Sequence, residues 1–206
     1  KFMKDFLIVS LIGFLAGWLV LPTAANFELK ITPSLILFSV FGFTILAPLL
    51  LAVIYYLSRF WPSLRQFGKF CAVGALNTFL GFSIFNSLMS FTGISRGPFY
   101  SLFLVIAFLA SVTNSYFWNK FWSFQSQTST NPSEFSRFLL FTFIGLLINN
   151  TIASFLNNVV GPQNNISVKI WANISELLAI SASFLWNFFS YRFWIFKKSK
   201  TQINNQ

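Results

Sequence analysis

Six apolar stretches, each close in length to one bilayer crossing, constrain the fold of this chain more than any other feature. A hydrocarbon core about 30 Å thick takes roughly 20 residues as an α-helix. Charged residues make up only 9% of the 206 residues, whereas phenylalanine occurs 30 times, more than a soluble core could bury. The sequence therefore predicts an all-α membrane protein with six transmembrane helices. The predicted spans are Phe6–Leu21, Pro33–Leu57, Phe70–Phe91, Pro98–Trp118, Phe138–Val160 and Val168–Phe189.

The positions of lysine and arginine predict the orientation of these helices. Eleven cations fall on one side of the predicted spans and three on the other, and the cation-rich side of a membrane protein faces the cytoplasm. We expect a multi-pass protein of the bacterial inner membrane with both termini cytoplasmic. The net charge of +10 then reflects topology, and no nucleic-acid partner is expected. The eleven are Lys1, Lys4, Arg59, Arg65, Lys69, Lys120, Arg137, Arg192, Lys197, Lys198 and Lys200; the three are Lys30, Arg96 and Lys169.

The N-terminal stretch has a second interpretation. Lys1 and Lys4, the apolar run after them and "LPTAA" before Asn26 also fit a signal peptide cleaved after Ala25. Another predicted span follows directly, and a retained helix keeps the cation counts consistent. Retention of residues 1–25 is therefore the favoured interpretation, with cleavage as the alternative.

The reactive side chains of the chain are few. It has no histidine, one cysteine (Cys71) and four carboxylates, at Asp5, Glu28, Glu134 and Glu176. Triads that depend on histidine are thus impossible, metal ligands are not clustered, and no two carboxylates lie close in sequence to suggest acid–base catalysis. We expect a non-enzymatic protein that uses neither a metal nor a cofactor.

An aromatic motif with one cation occurs twice in the chain. "SYFWNKFWSF" (115–124) and "NFFSYRFWIF" (187–196) are identical at four positions, at a distance of 72 residues. The first helix of each predicted hairpin begins with a related motif, "FGKF" (67–70) in one and "FSRF" (135–138) in the other, and these two motifs are 68 residues apart. The last four helices are therefore predicted to form two hairpins of the same orientation, a parallel repeat about an axis along the membrane normal.

The motifs of this region resemble those of a known family. "KFCAVGALNT" (69–78) places a cation and a phenylalanine before a glycine and an Asn-Thr pair, and "NFFSYRFWIF" (187–196) closes the last hairpin. Together they resemble the GtrA-like family of small polytopic membrane proteins, which includes the membrane domain of some dolichol-phosphate mannose synthases. Two positions depart from the family pattern. Ser115 stands where the pattern has asparagine, and Gly145 is the equivalent of Asn77.

The resemblance predicts four segments along the chain. Residues 67–198 form the GtrA-like four-helix domain, and residues 1–58 form a two-helix hairpin outside the resemblance, for which no function is predicted. Residues 59–66 are an interfacial linker, and residues 199–206 are a polar tail.

A role in cell-surface polysaccharide synthesis follows from the resemblance. Its implied partners, besides the lipid bilayer, are a polyprenyl-phosphate-linked sugar and a membrane glycosyltransferase that loads the sugar onto the lipid. The leading hypothesis is movement of that lipid-linked sugar across the membrane. A scaffold that recruits the transferase without transport is one alternative, and a small-solute transporter is another. Six short spans enclose little volume, which is compatible with a homo-oligomer.

Two sets of residues are candidates for contacts with such a substrate. Cations at helix ends can bind phosphate, which arginine does bidentately, or can simply snorkel beside an aromatic belt. Polar groups inside the spans can bind sugar hydroxyls or hold helices together. If only one half binds, the second is favoured, because it keeps the asparagine of the closing motif. The phosphate candidates are Lys69, Lys120, Arg137 and Arg192; the sugar or pathway candidates are Asn77, Asn149, Asn150, Asn187 and Glu176; the interface aromatics are Trp122 and Trp194.

Overall fold

A computed structural model describes residues 2–26, 29–94, 98–126, 131–162 and 168–196. Within these residues the regular secondary structure is helical, without strands, which confirms the all-α class. Three of the helices end in a short π-helical segment. The α-helices are α1 (Phe2–Leu19), α2 (Leu21–Asn26), α3 (Pro33–Leu57), α4 (Ser63–Thr92), α5 (Pro98–Trp118), α6 (Pro132–Phe155) and α7 (Val168–Ser190). The π-helical segments are Asn119–Ser123, Leu156–Val160 and Tyr191–Ile195.

Local signals in the sequence fix several of these helix ends. Thr32 accepts a hydrogen bond from the backbone N–H of Leu35 at 3.2 Å, and Pro33 occupies the first turn, where its missing N–H costs nothing. At the end of α4, Gly93 adopts a left-handed φ of 68° and donates its N–H to the carbonyl of Met89. The structure confirms α3 and α5 at the bounds predicted for them.

Other bounds differ from the prediction. Helix α4 begins at Ser63, inside the segment 59–66 that was predicted to be a linker. Among the described residues, four helical stretches are long and apolar enough to cross a membrane, namely Phe2–Ala25, Pro33–Leu57, Ser63–Thr92 and Pro132–Ile152. Four spans of a membrane protein are thus supported by length and composition, and the remaining two stay predictions.

The described contacts divide the chain into two compact units, residues 1–125 and residues 126–206. In unit 1, α4 packs against α5, and α1 packs against both α3 and α4. In unit 2, α6 packs against α7. Unit 1 thus joins the N-terminal helices to the first hairpin, while the predicted domain boundary at residue 67 stays a prediction.

Helices α1 and α3 approach each other closely at two glycines one turn apart. A Cβ atom on Gly17 would lie 2.5 Å from the Cα atom of Val40, and a Cβ atom on Gly13 would overlap the carbonyl oxygen of Phe43. This small-xxx-small spacing lets the two backbones touch, as in other membrane helix pairs. The contact fixes the start of α1 beside the end of α3, where Asp5 and Tyr55 lie.

Candidate functional site

The two copies of the aromatic motif end in the same backbone conformation. Each hairpin finishes in a five-residue π-helical segment, at Asn119–Ser123 (the first closing segment) and Tyr191–Ile195 (the second closing segment). The N–H of Phe124 donates to the carbonyl of Asn119 at 2.8 Å, and that of Phe196 donates to the carbonyl of Tyr191 at 2.8 Å. π-Helical turns are rare in proteins as a whole, but those that occur often lie at functional sites. The two closing segments are therefore candidate functional sites.

The aromatic side chains around the closing segments also correspond. Phe117 stacks on Phe121 with ring centroids 6.2 Å apart and planes 10° apart. The equivalent rings of Phe189 and Phe193 are 6.1 Å and 3° apart. The last phenylalanine of each motif packs at 6.1 Å on a phenylalanine of the helix before it in the hairpin, Phe124 on Phe70 and Phe196 on Phe138. The same side-chain order therefore produces the same packing in both units.

The cations of unit 1 are buried. Lys69 forms an ion pair of 2.6 Å with Asp5 of α1, and both side chains are almost inaccessible to solvent. Asp5 also accepts hydrogen bonds from the hydroxyl of Tyr55 at 2.6 Å and from Nε1 of Trp122 at 2.9 Å. Its carboxylate thereby connects α1, α3, α4 and the first closing segment. A buried ion pair with additional donors of this kind is strongly destabilised when one partner is removed.

Lys120 is also buried, with none of its side chain exposed. Its Nζ atom lies 3.4 Å from the hydroxyl of Tyr116 and within 6 Å of the ring centres of Tyr116 and Phe121. Neither of the two cations predicted to bind phosphate in unit 1 therefore presents its charge at the surface of that unit.

The equivalent cations of unit 2 are accessible. Arg137 is exposed and Arg192 is half-buried, and neither has an acidic partner among the described residues. The guanidinium of Arg192 lies 5.5 Å from the ring centre of Phe193 and 5.9 Å from that of Phe188, in cation–π contact with both. These contacts orient the guanidinium without neutralising it.

The two tryptophans predicted as interface aromatics have different surroundings. Trp122 is buried, with 5% of its surface exposed, and points its N–H at Asp5. Trp194 is 56% exposed, stacks on Phe141 with ring centroids 5.2 Å apart and contacts Trp186 in a tilted arrangement at 5.7 Å. Only Trp194 therefore has the exposure expected of an interface aromatic.

Each hairpin interior contains amide groups that are incompletely hydrogen-bonded. In unit 1, Asn114 donates to the Oδ1 atom of Asn77 at 2.7 Å, while Nδ2 of Asn77 is buried without a partner. In unit 2, Asn187 lies against Gly145, whose Cβ would be 2.5 Å from its Oδ1 atom, and that oxygen also lacks a partner. The missing side chain at Gly145 thus makes room for the amide of Asn187 on the facing helix.

The other predicted residues are not brought into one cluster. Asn149 is half-buried and Asn150 is exposed. Glu176 belongs to α7, but its side chain lies outside the described part of the chain, as does the predicted tail, residues 199–206. In the part of the chain that the structure describes, no three histidine, cysteine or acidic residues come together as metal ligands would.

Sequence reasoning missed the residue that organises unit 1, which is Asp5. The available signal was a carboxylate at the edge of an apolar stretch, because an acid in that position needs a donor or a cation nearby. Its three donors lie 50, 64 and 117 residues away in the chain, so no local pattern could identify them.

Comparisons with known proteins agree with the resemblance drawn from the motifs. The family model described as "GtrA/DPMS, transmembrane domain" matches residues 69–196, and this match confirms the resemblance to the GtrA-like family. The chain is also 28% identical over 156 residues to a protein named "Uncharacterized membrane protein YngA" from Bacillus subtilis (strain 168). That alignment covers 74% of this chain and 96% of the relative. No solved structure matches the chain.

Proposed function

The chain belongs to the GtrA/DPMS transmembrane-domain family, and from this premise we propose that it carries a polyprenyl-phosphate-linked sugar across the membrane for glycan assembly. The family suggests a role in glycan synthesis that involves lipid-linked sugars. The finer assignment, a non-enzymatic carrier in a bacterial inner membrane, is our proposal. The observation that carries it is the accessible arginine at the second closing segment.

Arg192 and Arg137 are the proposed phosphate ligands. Arg192 is held between two aromatic rings and keeps its charge available, and Arg137 is exposed. An arginine fork binds two phosphate oxygens at once, which a lysine ammonium does not. The polyprenyl chain would lie in lipid beside the exposed, stacked pair Phe189 and Phe193, of which 49% and 53% are exposed.

The incompletely bonded amides are the proposed contacts for the sugar. Asn187 offers a buried Oδ1 atom and Asn77 a buried Nδ2 atom, neither of which has a partner. A buried polar group without a partner costs free energy that a hydroxyl of the sugar would recover. We propose that the two amides form hydrogen bonds with the sugar hydroxyls during transport, while the prenyl tail stays in lipid.

The proposed topology has six spans, with both termini in the cytoplasm. The last four helices form the two hairpins of a parallel repeat. The matching π-helical ends and matching aromatic packing of the two hairpins support the repeat. The place of the closing segments, on the cytoplasmic side, follows from the cation distribution.

The charge reversal Arg192→Glu tests the proposal. We expect the purified variant, reconstituted alone in liposomes, to lose most transbilayer movement of a fluorescent polyprenyl-phosphate sugar, because a carboxylate repels the phosphate. Arg59→Glu is the matched control, since Arg59 is exposed, lies over the ring of Tyr56 at 5.2 Å, as Arg192 lies near its own rings, and is on the same predicted side. Unchanged movement in folded Arg192→Glu contradicts phosphate capture by Arg192.

The same reconstitution separates transport from scaffolding. If the wild-type protein moves no lipid-linked sugar but forms a stable complex with the glycosyltransferase, the carrier proposal is wrong and the scaffold is favoured. Uptake of a soluble solute without any dependence on polyprenyl phosphate would favour a small-solute transporter instead.

A further inference from the structure

Unit 1 contains a pocket that the family match does not account for. Its volume is about 530 Å³, within the range of small-molecule sites. One wall is the start of α1, which precedes residue 69, where the match begins. The opposite wall is the end of α5 and the first closing segment. Polar and aromatic lining residues include Lys4, Asp5, Trp118, Phe121, Trp122 and Gln125.

The floor of the pocket is held rigidly. Asp5 accepts hydrogen bonds from Lys69, Tyr55 and Trp122, which fix its carboxylate and the plane of the Trp122 indole. Trp118 meets Trp122 edge-on, with ring centroids 5.9 Å apart. A carboxylate accepts about four hydrogen bonds, so Asp5 can take one more from a ligand.

The rim of the pocket supplies an amide and a cation. Gln125 lines the pocket and has a φ of 51°, which is uncommon for any residue other than glycine. Lys4 is exposed and also lines the pocket. Because the ammonium of Lys69 is bound to Asp5 and Lys120 is buried, Lys4 is the exposed cation of this pocket.

The chemistry of these groups corresponds to one class of ligand. A cation binds a phosphate, and aromatic faces cover the apolar side of a sugar ring. A carboxylate accepts hydrogen bonds from hydroxyls, and an amide both accepts and donates them. The exposed, stacked rings of Phe117 and Phe121 continue the pocket along an apolar surface, as a lipid tail requires.

Resting on the proposed function, we infer that this pocket is a second head-group site for a polyprenyl-phosphate-linked sugar, in which Lys4 binds the phosphate and Asp5 and Gln125 bind the sugar. In unit 1 the N-terminal helix thus provides the accessible cation that Arg192 provides in unit 2. The N-terminal hairpin thereby acquires a function in substrate binding.

Counting bound lipid tests the inference. Polyprenyl phosphate, which every such substrate contains, is titrated into the full chain in detergent micelles and bound molecules are counted by native mass spectrometry. We expect two bound lipids for the wild type and one for Lys4→Gln and for Trp118→Ala, with affinity at the lost site reduced about tenfold or more. Lys30→Gln and Trp61→Ala are matched controls at exposed positions outside the pocket, and we expect both to bind two.

The possible outcomes separate this inference from the proposed function. If the wild type binds the lipid and Lys4→Gln and Trp118→Ala bind like their controls, the pocket assignment is wrong and the proposed function stands. If the wild type binds no polyprenyl phosphate, both are wrong. Competition by glucose 1-phosphate at the same concentration would show that the pocket takes a soluble sugar phosphate, which overturns the assignment to a lipid. Lys4→Gln changes an exposed side chain, so folding does not obscure its result.

Discussion

The two closing segments have the same backbone and the same aromatic packing, yet their cations have opposite environments. At the first, Lys69 is paired with Asp5 and Lys120 is buried. At the second, Arg192 is half-buried, with its guanidinium in cation–π contact with two rings and no acidic partner among the described residues. The difference originates outside the repeated motif, because the acid that neutralises Lys69 comes from α1. One motif can therefore serve the stability of one unit and the proposed binding function of the other.

The largest expected effect comes from removing the acid that makes the two units differ. Asp5→Asn leaves the buried Lys69 without its acidic partner, and loss of one member of a buried ion pair costs about 3–5 kcal/mol. We expect a loss of this size in the free energy of unfolding, measured by denaturant titration in mixed micelles. The double variant Asp5→Leu/Lys69→Met removes both charges, and we expect it to regain only part of the loss, because Tyr55 and Trp122 stay without their acceptor. Equal stability of Asp5→Asn and wild type would show that the ion pair does not stabilise unit 1.

Equivalent tryptophans allow the comparison to be made at a single position of the motif. Trp122→Phe removes a hydrogen bond to a buried carboxylate and should cost about 1.5–3 kcal/mol of unfolding free energy. Trp194→Phe changes an exposed side chain and should alter it by less than about 0.5 kcal/mol. The same titration measures both variants. Similar losses at the two positions would contradict the different roles of the two segments.

The smallest expected effect concerns the amides inside the hairpins. Asn77→Ala removes the hydrogen bond from Asn114, and such bonds between membrane helices contribute about 0.6 kcal/mol on average. A double-mutant cycle with Asn114→Ala should return a coupling of this size. If Asn77 and Asn187 bind sugar as proposed, each alanine variant should also slow transport more than it lowers stability. A transport loss no greater than the stability loss would mark these amides as purely structural.

The sequence predictions succeeded where neighbouring residues define the structure and failed where residues far apart in the chain define it. Helices α3 and α5 were predicted at their observed bounds because a proline and an apolar run define them locally. The start of α4 at Ser63 was missed because the first turns of the helix are polar and resemble a linker. The π-helical ends had no local signal, since their i→i+5 hydrogen bonds leave no pattern of apolar residues.

The residues of the candidate site could likewise be predicted only where a local motif identifies them. Duplication of the motif identified the aromatic and cationic positions, and the phenylalanine pairs Phe117–Phe121 and Phe189–Phe193 stack alike in the two units. The pairing of Lys69 could not be predicted, because it depends on Asp5, which lies outside the repeat and 64 residues before Lys69. The pocket of unit 1 was missed for the same reason, because its lining residues come from the start of α1 and from residues 117–125, which are far apart in the chain.

The close approach of Gly13 and Gly17 to α3 also bears on the order in which the protein is made. Synthesis proceeds from the N-terminus, so α1 and α3 are both complete at Leu57, before Lys69 exists. Their contact needs only their own backbones, and the two helices can associate in the bilayer at once. We expect Asp5 to remain hydrated at the membrane surface during this interval. The arrival of α4 with Lys69 then draws the acid into the protein, and Trp122 of the first closing segment, which is made later, adds the last of its three donors.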